Sequence, residues 1–199
     1  MTVRLALIGA YGNGKTTLAD ALSAELGLPK AHANPMRDPQ GSKGTSLEQS
    51  SDEELFQLTI RRFGERLLGE AAQGTFVSDG SVLHEWIYLR TRLAHGLHPA
   101  QEAQWPEGPA TAPHRYAALE EQIGHVVQSF CRNRYDGAVL VPAEFPLTVS
   151  PPPISERFRG LIDELSAETV KRLPVPSITV SGSVAERVQS VRDFLSHLR

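Results

Sequence analysis

Short apolar runs alternate along the chain with longer stretches in which apolar residues recur every three or four positions. The short runs are mainly apolar and do not alternate regularly with polar residues, which is typical of buried parallel strands. Four of them are well defined, at residues 3–8, 75–79, 137–142 and 176–180. A fifth strand, second in chain order, is predicted within residues 26–35, where the pattern is weaker.

The longer stretches predict amphipathic helices, because this spacing places apolar side chains on one face of a helix. They cover residues 15–26, about 51–73, 82–93, 116–130, 158–165 and 184–198. Ser51 or Asp52 can cap the second of these helices, and Gly74 ends it. Its predicted apolar stripe consists of Phe56, Ile60, Phe63 and Leu67.

The alternation of strands and helices predicts an α/β fold with three layers. A five-stranded parallel sheet would carry helices on both faces, joined by right-handed crossovers. The chain of 199 residues is expected to form one domain, 1–199. Residues 95–113 are rich in Pro, Gly and Ala and lack a period, so we interpret them as an irregular insertion. The proline-rich residues 145–159, between a strand and a helix, are interpreted as a lid.

Composition narrows the classes of partner. The net charge of -3 argues against binding to nucleic acid through bulk positive charge. A single cysteine, Cys131, excludes an intramolecular disulfide and fits a reducing cytosol. No apolar run has the length of a signal peptide core or a membrane span. We therefore expect a cytoplasmic protein without a nucleic-acid or membrane partner, and the sequence leaves open whether it forms a homo-oligomer.

A phosphate-binding loop is the most specific chemical feature of the sequence. Residues 9–16 are Gly-Ala-Tyr-Gly-Asn-Gly-Lys-Thr, which satisfies the pattern G-x-x-x-x-G-K-[ST] between a strand and a helix. Glycines allow successive N–H groups to point at one anion, and the helix adds its positive end. Lys15 can reach the β- and γ-phosphates of a nucleoside triphosphate, and the Thr16 hydroxyl can bind Mg²⁺. The predicted nucleotide-binding residues here are Gly9, Gly12, Asn13, Gly14, Lys15, Thr16 and Thr17. The fold class is thus a P-loop NTPase fold.

Asp79 ends an apolar strand and is followed by Gly80 and Ser81. In a parallel sheet, sites form beyond the carboxyl ends of strands, so this carboxylate is expected near the P-loop. It could hold Mg²⁺, directly or through water, or accept a proton from a substrate hydroxyl. The alternative is a helix N-cap, which Asp79 and Ser81 could both serve.

Phosphoryl transfer also benefits from a cation over the transferring group. The candidates are Arg37, after the weak second strand, and Arg157 and Arg159, after the proline-rich segment. Each could equally be a solvated surface charge. His95 and His98 have a ligand-like spacing, but no cysteine or carboxylate cluster in the sequence supports a metal site with them.

Five segments together resemble small P-loop kinases of nucleosides and nucleotides, in the AAA-domain group related to bacterial ribosylnicotinamide kinases. They are GAYGNGKTTLADAL, NPMRDPQ, FVSDGSVLHEWIY, VLVPAEFPLTVSPPPISERFRGLIDEL and ITVSGSVAERVQSV. The resemblance implies that Arg37 faces the substrate and that Ser181, Gly182 and Ser183 lie near the nucleotide base. It also implies that Asp79 and the following helix supply Mg²⁺ and substrate contacts. Many of these kinases have Asp-Arg-Ser where this chain has Asp79, Gly80 and Ser81.

The function expected from these features is an ATP-dependent phosphotransferase. It would use Mg²⁺ and act on a small hydroxyl-bearing molecule such as a nucleoside or a related metabolite. The predicted catalytic residues are Lys15, Asp79, Arg37, Arg157 and Arg159. The alternative is a regulatory switch, an ATPase or GTPase that acts through a protein partner. The sequence lacks an N-K-x-D guanine signature and a strand ending in paired acids, which favours the kinase.

Overall fold

A computed structural model describes residues 2–31, 51–95, 115–148 and 153–198 of the chain. Within them, four strands form one sheet: β1 (Arg4–Ile8), β2 (Phe76–Asp79), β3 (Gly137–Leu140) and β4 (Ser177–Thr179). The helices in the same ranges are α1 (Lys15–Leu26), α2 (Asp52–Ala71), α3 (Ser81–His95), α4 (Ala117–Arg134), α5 (Glu156–Arg172) and α6 (Val184–His197).

All strand pairs in the sheet are parallel, and the spatial order is β2-β1-β3-β4. The central strands β1 and β3 are buried along almost their whole length, which explains their continuous apolar runs. Leu7 of β1 pairs with Asp79 on one side and with Val139 on the other. This register brings the carboxyl ends of β1, β2 and β3 together at one edge of the sheet, where the P-loop follows β1.

Helices cover both faces of the sheet, as the alternation of elements predicts. On one face, α1 and α6 pack over a core that includes Leu18, Leu22 and Val188. On the other face, α2, α3, α4 and α5 enclose a second core that includes Phe76, Ile87 and Phe158. The three-layer α/β architecture is therefore confirmed.

The predicted fifth strand is wrong within the described part of the chain. Residues 28–31 make a single parallel bridge, in which Lys30 is opposite Val77. The Val77 N–H donates to the Pro29 carbonyl at 2.8 Å, and the Ala31 N–H donates to the Val77 carbonyl at 3.0 Å. Gly27 caps α1 in a left-handed conformation and Pro29 has no N–H, so the ladder cannot extend towards the helix. Residues 32–35 of this prediction lie outside the described ranges.

The apolar stripe predicted on α2 is only partly correct. Phe63 and Leu67 pack against the core, but Ile60 is 39% exposed. Arg66 is buried on the same helix. The reason is that part of the inward face of α2 borders a polar cavity rather than apolar side chains. The N-terminus of α2 agrees with the prediction, since Ser51 caps it and forms a capping box with Glu54.

Among the helices that the structure describes, none combines the length and the apolar character needed to cross a membrane.

Candidate nucleotide and acceptor site

The loop between β1 and α1 is held against the end of β3. Gly9 has a φ of +150°, and a Cβ at this position would lie 2.2 Å from the Val141 carbonyl oxygen. Gly12 and Gly14 also have positive φ, at +75° and +84°. Only glycine adopts such angles readily and permits so close an approach, so the glycines of the motif have a direct steric role.

Lys15 lies at the first position of α1 and is 8% exposed. Its ammonium group donates a hydrogen bond to the Ala10 carbonyl at 2.6 Å, which folds the side chain over the loop. Burial lowers the pKa of Lys15 to about 8, although the nearby Asp79 carboxylate opposes that shift. A bound phosphate could therefore replace the Ala10 carbonyl as the hydrogen-bond acceptor of the Lys15 ammonium group.

The carboxylate of Asp79 faces the P-loop. The Thr16 hydroxyl donates a hydrogen bond to Asp79 Oδ2, and the two oxygens are 2.7 Å apart. Ser81, the other candidate N-cap, is buried and accepts a hydrogen bond from the Leu83 N–H at 3.3 Å. The first turn of α3 thus uses the Ser81 hydroxyl, and the Asp79 carboxylate is directed to Thr16.

Arg159 supports the P-loop through buried hydrogen bonds. It is 3% exposed and donates from Nε to the Tyr11 carbonyl and from Nη2 to Asn13 Oδ1, both at 3.0 Å. Asn13 in turn donates to the Val141 carbonyl at 2.8 Å and to Asp163 Oδ1 at 2.9 Å. Arg159 and Asn13 therefore fix the loop conformation through buried hydrogen bonds.

A second arginine connects the P-loop to the turn before α6. Arg187 donates to the Asn13 carbonyl at 2.9 Å and to the Gly182 carbonyl at 3.0 Å. Its Nη2 also forms an ion pair with Glu144 at 2.9 Å, and Glu144 accepts from the Gly182 N–H at 3.1 Å. The turn that contains Ser181 and Gly182 is consequently held close to the P-loop.

A cavity of about 560 Å³ extends from the P-loop to the facing sides of α2 and α3. Its lining combines loop glycines, charged side chains and a short apolar segment. The lining residues are Tyr11, Gly12, Gly14, Lys15, Thr16, Thr17, Arg62, Arg66, Asp79, His84, Glu85, Phe145, Pro146, Leu147 and Thr148.

Arg66 and Glu85 form a buried ion pair on the wall of this cavity. Arg66 donates from Nε to Glu85 Oε1 at 2.8 Å and from Nη1 to the Asp79 carbonyl at 2.8 Å. The Arg66 guanidinium lies beside Gly80, about 3.5 Å from where a Cβ would be. Many nucleoside kinases have an arginine at the position of Gly80. In this chain the guanidinium of Arg66, from α2, lies next to that position.

His84 lies on the same wall and stacks on Tyr88, with ring centroids 4.3 Å apart. Burial, and then the positive charges of Lys15 and Arg66, hold the pKa of His84 well below its ordinary value. The imidazole is accordingly neutral at physiological pH. The Tyr88 hydroxyl accepts a hydrogen bond from the Tyr11 N–H at 2.9 Å, which joins α3 to the P-loop.

A family model described as an AAA domain matches residues 4–187 of the chain. The chain belongs to this AAA domain family. The predicted resemblance to small P-loop kinases of nucleosides and nucleotides is confirmed by this match and by the solved structures that share the fold. The search of curated proteins found no match to this chain.

The solved structures that resemble this AAA domain include several small kinases. Deoxyadenosine kinase from M. mycoides, with dCMP and dCDP bound, has a TM-score of 0.63 at 14% identity, covering 99% of this chain and 100% of that chain. Shikimate kinase from Acinetobacter baumannii, in complex with shikimate, has a TM-score of 0.54 at 12% identity, covering 99% and 94%. NadR protein in complex with NR has a TM-score of 0.58 at 13% identity, covering 99% and 50%. At these identities the likeness establishes a shared P-loop kinase fold.

The predicted arginines are distributed differently from the expectation. Arg37 lies outside the described residues, as do His98 and most of the predicted insertion. Arg157 is exposed, and neither Arg157 nor Arg159 lines the cavity. Arg159 is instead bonded to the P-loop backbone and to Asn13. The role of Arg159 as a lid residue stays a prediction, and in this structure its guanidinium is buried.

The sequence interpretation missed the side chains of α2 and α3 that line the cavity. They are Arg62, Arg66, His84 and Glu85. A signal for the arginines was present, since Arg62 and Arg66 are four residues apart and therefore share one helix face. That face could not be distinguished from a solvated one without knowledge of what packs against it.

The residues at the P-loop fit a Mg²⁺ ion. Mg²⁺ prefers hard oxygen ligands and is commonly held by one or two protein groups together with substrate phosphates and water. The Thr16 hydroxyl and the Asp79 carboxylate are adjacent oxygen donors on the cavity wall. In the part of the chain that the structure describes, no group of three or more His, Cys, Asp or Glu could hold a metal by itself.

Proposed function

We propose that this AAA domain is an ATP-dependent phosphotransferase that acts on the hydroxyl group of a small molecule. The observation that carries the proposal is the single cavity of about 560 Å³ that joins the P-loop to the side chains of α2 and α3. A donor bound at one end and an acceptor bound at the other would therefore meet within one cavity. Proximity and orientation of this kind are the main contribution of a protein to phosphoryl transfer.

The donor end is formed by the P-loop and the start of α1. Backbone N–H groups of the loop and the positive end of α1 would bind the phosphates, and Lys15 would contact the β- and γ-phosphates. Negative charge from the phosphates would raise the pKa of Lys15 from about 8 and keep it protonated. Thr17 lies at the same end, and Gly182 and Ser181 are held near it by the contacts of Arg187.

Thr16 and Asp79 would hold Mg²⁺, which supplies neutralisation of the phosphate charge when it is bound. In the transfer itself, the acceptor oxygen forms a bond to the γ-phosphorus while the bond from that phosphorus to the β–γ bridging oxygen breaks. ADP leaves, and the hydroxyl proton passes to a base. Asp79 is our candidate for orienting the metal or for accepting this proton, and Glu85 is a second carboxylate on the cavity wall.

The cations that line the cavity include two that the sequence did not identify, Arg62 and Arg66. Arg66 is fixed by Glu85 and by the Asp79 carbonyl, so its positive charge is held beside the end of β2. Such a fixed charge needs no rearrangement as negative charge develops in the transition state. Arg37 remains a predicted substrate-side residue, and Arg157 remains a predicted lid residue.

A two-stage experiment tests the proposal. The full chain is first screened by thermal shift against nucleosides, nucleotides, sugars and hydroxy acids in the presence of Mg²⁺ and a non-hydrolysable ATP analogue. Compounds that raise the melting temperature are then incubated with γ-labelled ATP, and transfer of the label is measured. We expect labelled product that depends on both Lys15 and Asp79. Slow hydrolysis of ATP that no small molecule accelerates would contradict the proposal and favour the regulatory switch.

A further inference from the structure

The wall of the cavity away from the P-loop carries more positive than negative charge. Arg62 and Arg66 line it. The lining residues of the whole cavity include two carboxylates, Asp79 and Glu85. Glu85 is bonded to Arg66, and Asp79 is bonded to Thr16. Among the described residues, Arg62 is therefore left without a carboxylate that balances it.

Arg92 lies one helix away from Arg62 and adds to this imbalance. On α3, His84, Tyr88 and Arg92 are spaced four residues apart and share one helix face, of which His84 lines the cavity. Burial, and then the positive charge of Arg62, lower the pKa of Arg92 from its ordinary value. The guanidinium groups of Arg62 and Arg92 are thus close enough to repel each other.

Neither arginine satisfies its hydrogen-bonding capacity within the described part of the chain. The Nε atoms of Arg62 and Arg92 are inaccessible to solvent and have no hydrogen-bond partner there. Buried guanidinium N–H groups are almost always paired, because leaving them unpaired costs free energy. Two neighbouring guanidinium groups, one of which lines a cavity, have the chemistry that binds a phosphate or a carboxylate.

We propose that the acceptor carries an anionic group, a phosphate or a carboxylate, in addition to the hydroxyl that receives the phosphoryl group. Arg62 and Arg92 bind this group at the α2–α3 end of the cavity. This inference rests on the proposed phosphotransferase function. It narrows the acceptor class from any small alcohol to phosphorylated or acidic alcohols and separates the acceptor from uncharged nucleosides.

The first test measures binding without catalysis. The full chain is saturated with Mg²⁺ and a non-hydrolysable ATP analogue, which occupies the P-loop. Calorimetry then follows inorganic phosphate, a nucleoside and its 5′-monophosphate, and a hydroxy acid and its neutral amide. We expect an anionic probe to bind, and the charged member of its pair to bind at least tenfold tighter than the neutral member. Preference within the nucleotide pair indicates a phosphate, and preference within the hydroxy-acid pair indicates a carboxylate.

Variants assign the anion to the two arginines. Arg62→Gln and Arg92→Gln are each expected to weaken binding of the anionic probe by about 10- to 100-fold, as for loss of a charged hydrogen bond. Arg61→Gln removes the same charge from an exposed neighbouring position on α2 and is expected to change binding less than threefold. Circular dichroism and cooperative melting establish that each variant is folded. Arg62→Lys, which retains charge but not the forked geometry, is expected to recover part of the affinity.

Three results would overturn the anion site. They are equal binding of the charged and neutral members of both pairs, no binding of any anion including inorganic phosphate, and unchanged anion affinity in folded Arg62→Gln and Arg92→Gln variants. The outcome is separable from that of the phosphotransferase proposal. Anion binding that depends on Arg62 without phosphoryl transfer refutes only the kinase, whereas phosphorylation of an uncharged alcohol at a rate unaffected by Arg62→Gln refutes only the anion site.

Discussion

Thr16 Oγ1 and Asp79 Oδ2 are 2.7 Å apart and share a hydrogen bond in which the threonine donates. The contact joins the first turn of α1 to the end of β2, two elements separated by 63 positions in the chain. A hydroxyl and a carboxylate in this arrangement form an oxygen-rich corner at the donor end of the cavity. Among the described residues, the Asp79 carboxylate forms this side-chain hydrogen bond and no other. The carboxylate is therefore held next to the P-loop.

Replacing Asp79 with asparagine tests this commitment. Asp79→Asn keeps the size of the side chain and removes its charge, so we expect measurable nucleotide binding and a decrease in kcat of roughly 100-fold or more. The measurement is kcat and melting temperature once an acceptor has been found. Asp20→Asn, at an exposed carboxylate paired with Lys30, is the control and should leave kcat unchanged. Near-normal turnover with a stability change of about 1 kcal/mol would instead indicate a helix cap.

Lys15 gives a prediction about pH. Its pKa in the free protein is about 8, and the protonated form is the one that attracts phosphates. Binding of a triphosphate should raise this pKa, so the complex takes up protons, about half a proton per site at pH 8. Affinity should therefore fall as the pH rises through 8. Calorimetry in two buffers with different ionisation enthalpies measures the uptake directly.

The matching variant is Lys15→Ala. We expect it to remain folded, to bind ATP at least tenfold more weakly, which is about 1.4 kcal/mol, and to show no proton uptake at pH 8. Wild-type protein that binds triphosphate at pH 8 without taking up protons would contradict the assignment of the pKa. Unchanged ATP and GTP affinity in the folded variant would contradict the phosphate-binding role of Lys15.

Arg159 and Arg157 form a matched pair two residues apart on α5. Arg159→Gln removes buried hydrogen bonds to the Tyr11 carbonyl and to Asn13, so unfolding should become easier by about 1–3 kcal/mol and nucleotide affinity should fall. Arg157→Gln, at an exposed position, should change stability by less than about 0.5 kcal/mol. Denaturant unfolding and nucleotide titration measure both effects. If Arg159→Gln slowed phosphoryl transfer without affecting either quantity, Arg159 would be a lid residue.

Tyr135 forms hydrogen bonds close to the carboxyl end of β2. Its hydroxyl donates to Glu70 Oε2 and accepts from the Val82 N–H at 3.2 Å, inside the core. Tyr135→Phe removes both of these hydrogen bonds, and we expect a loss of about 1–3 kcal/mol in the free energy of unfolding. Tyr11→Phe, at a tyrosine that is 39% exposed, serves as the control and should be nearly neutral. Equal unfolding free energies for the two variants would show that the buried hydroxyl contributes nothing net.

Features that depend on residues close together in the chain could be predicted without a structure. The P-loop is a contiguous motif whose glycines, lysine and threonine act through local backbone geometry, so it could be recognised without a structure. The order of strands and helices also followed from local periodicity, because a strand buried on both faces requires a continuous apolar run. The position of Asp79 at a strand end was enough to place its carboxylate near the loop.

Which charged side chains share the site depends on three-dimensional packing and could not be predicted from the sequence. Arg62 and Arg66 face the cavity while Arg159 is buried behind the P-loop, and nothing in their local sequences distinguishes these environments. Helical spacing shows which residues share a face, but the partner of that face depends on packing between elements far apart in the chain. The wrong prediction of a fifth strand has the same cause. Pairing at a sheet edge depends on the neighbouring strand, and Lys30 forms only one bridge, with Val77.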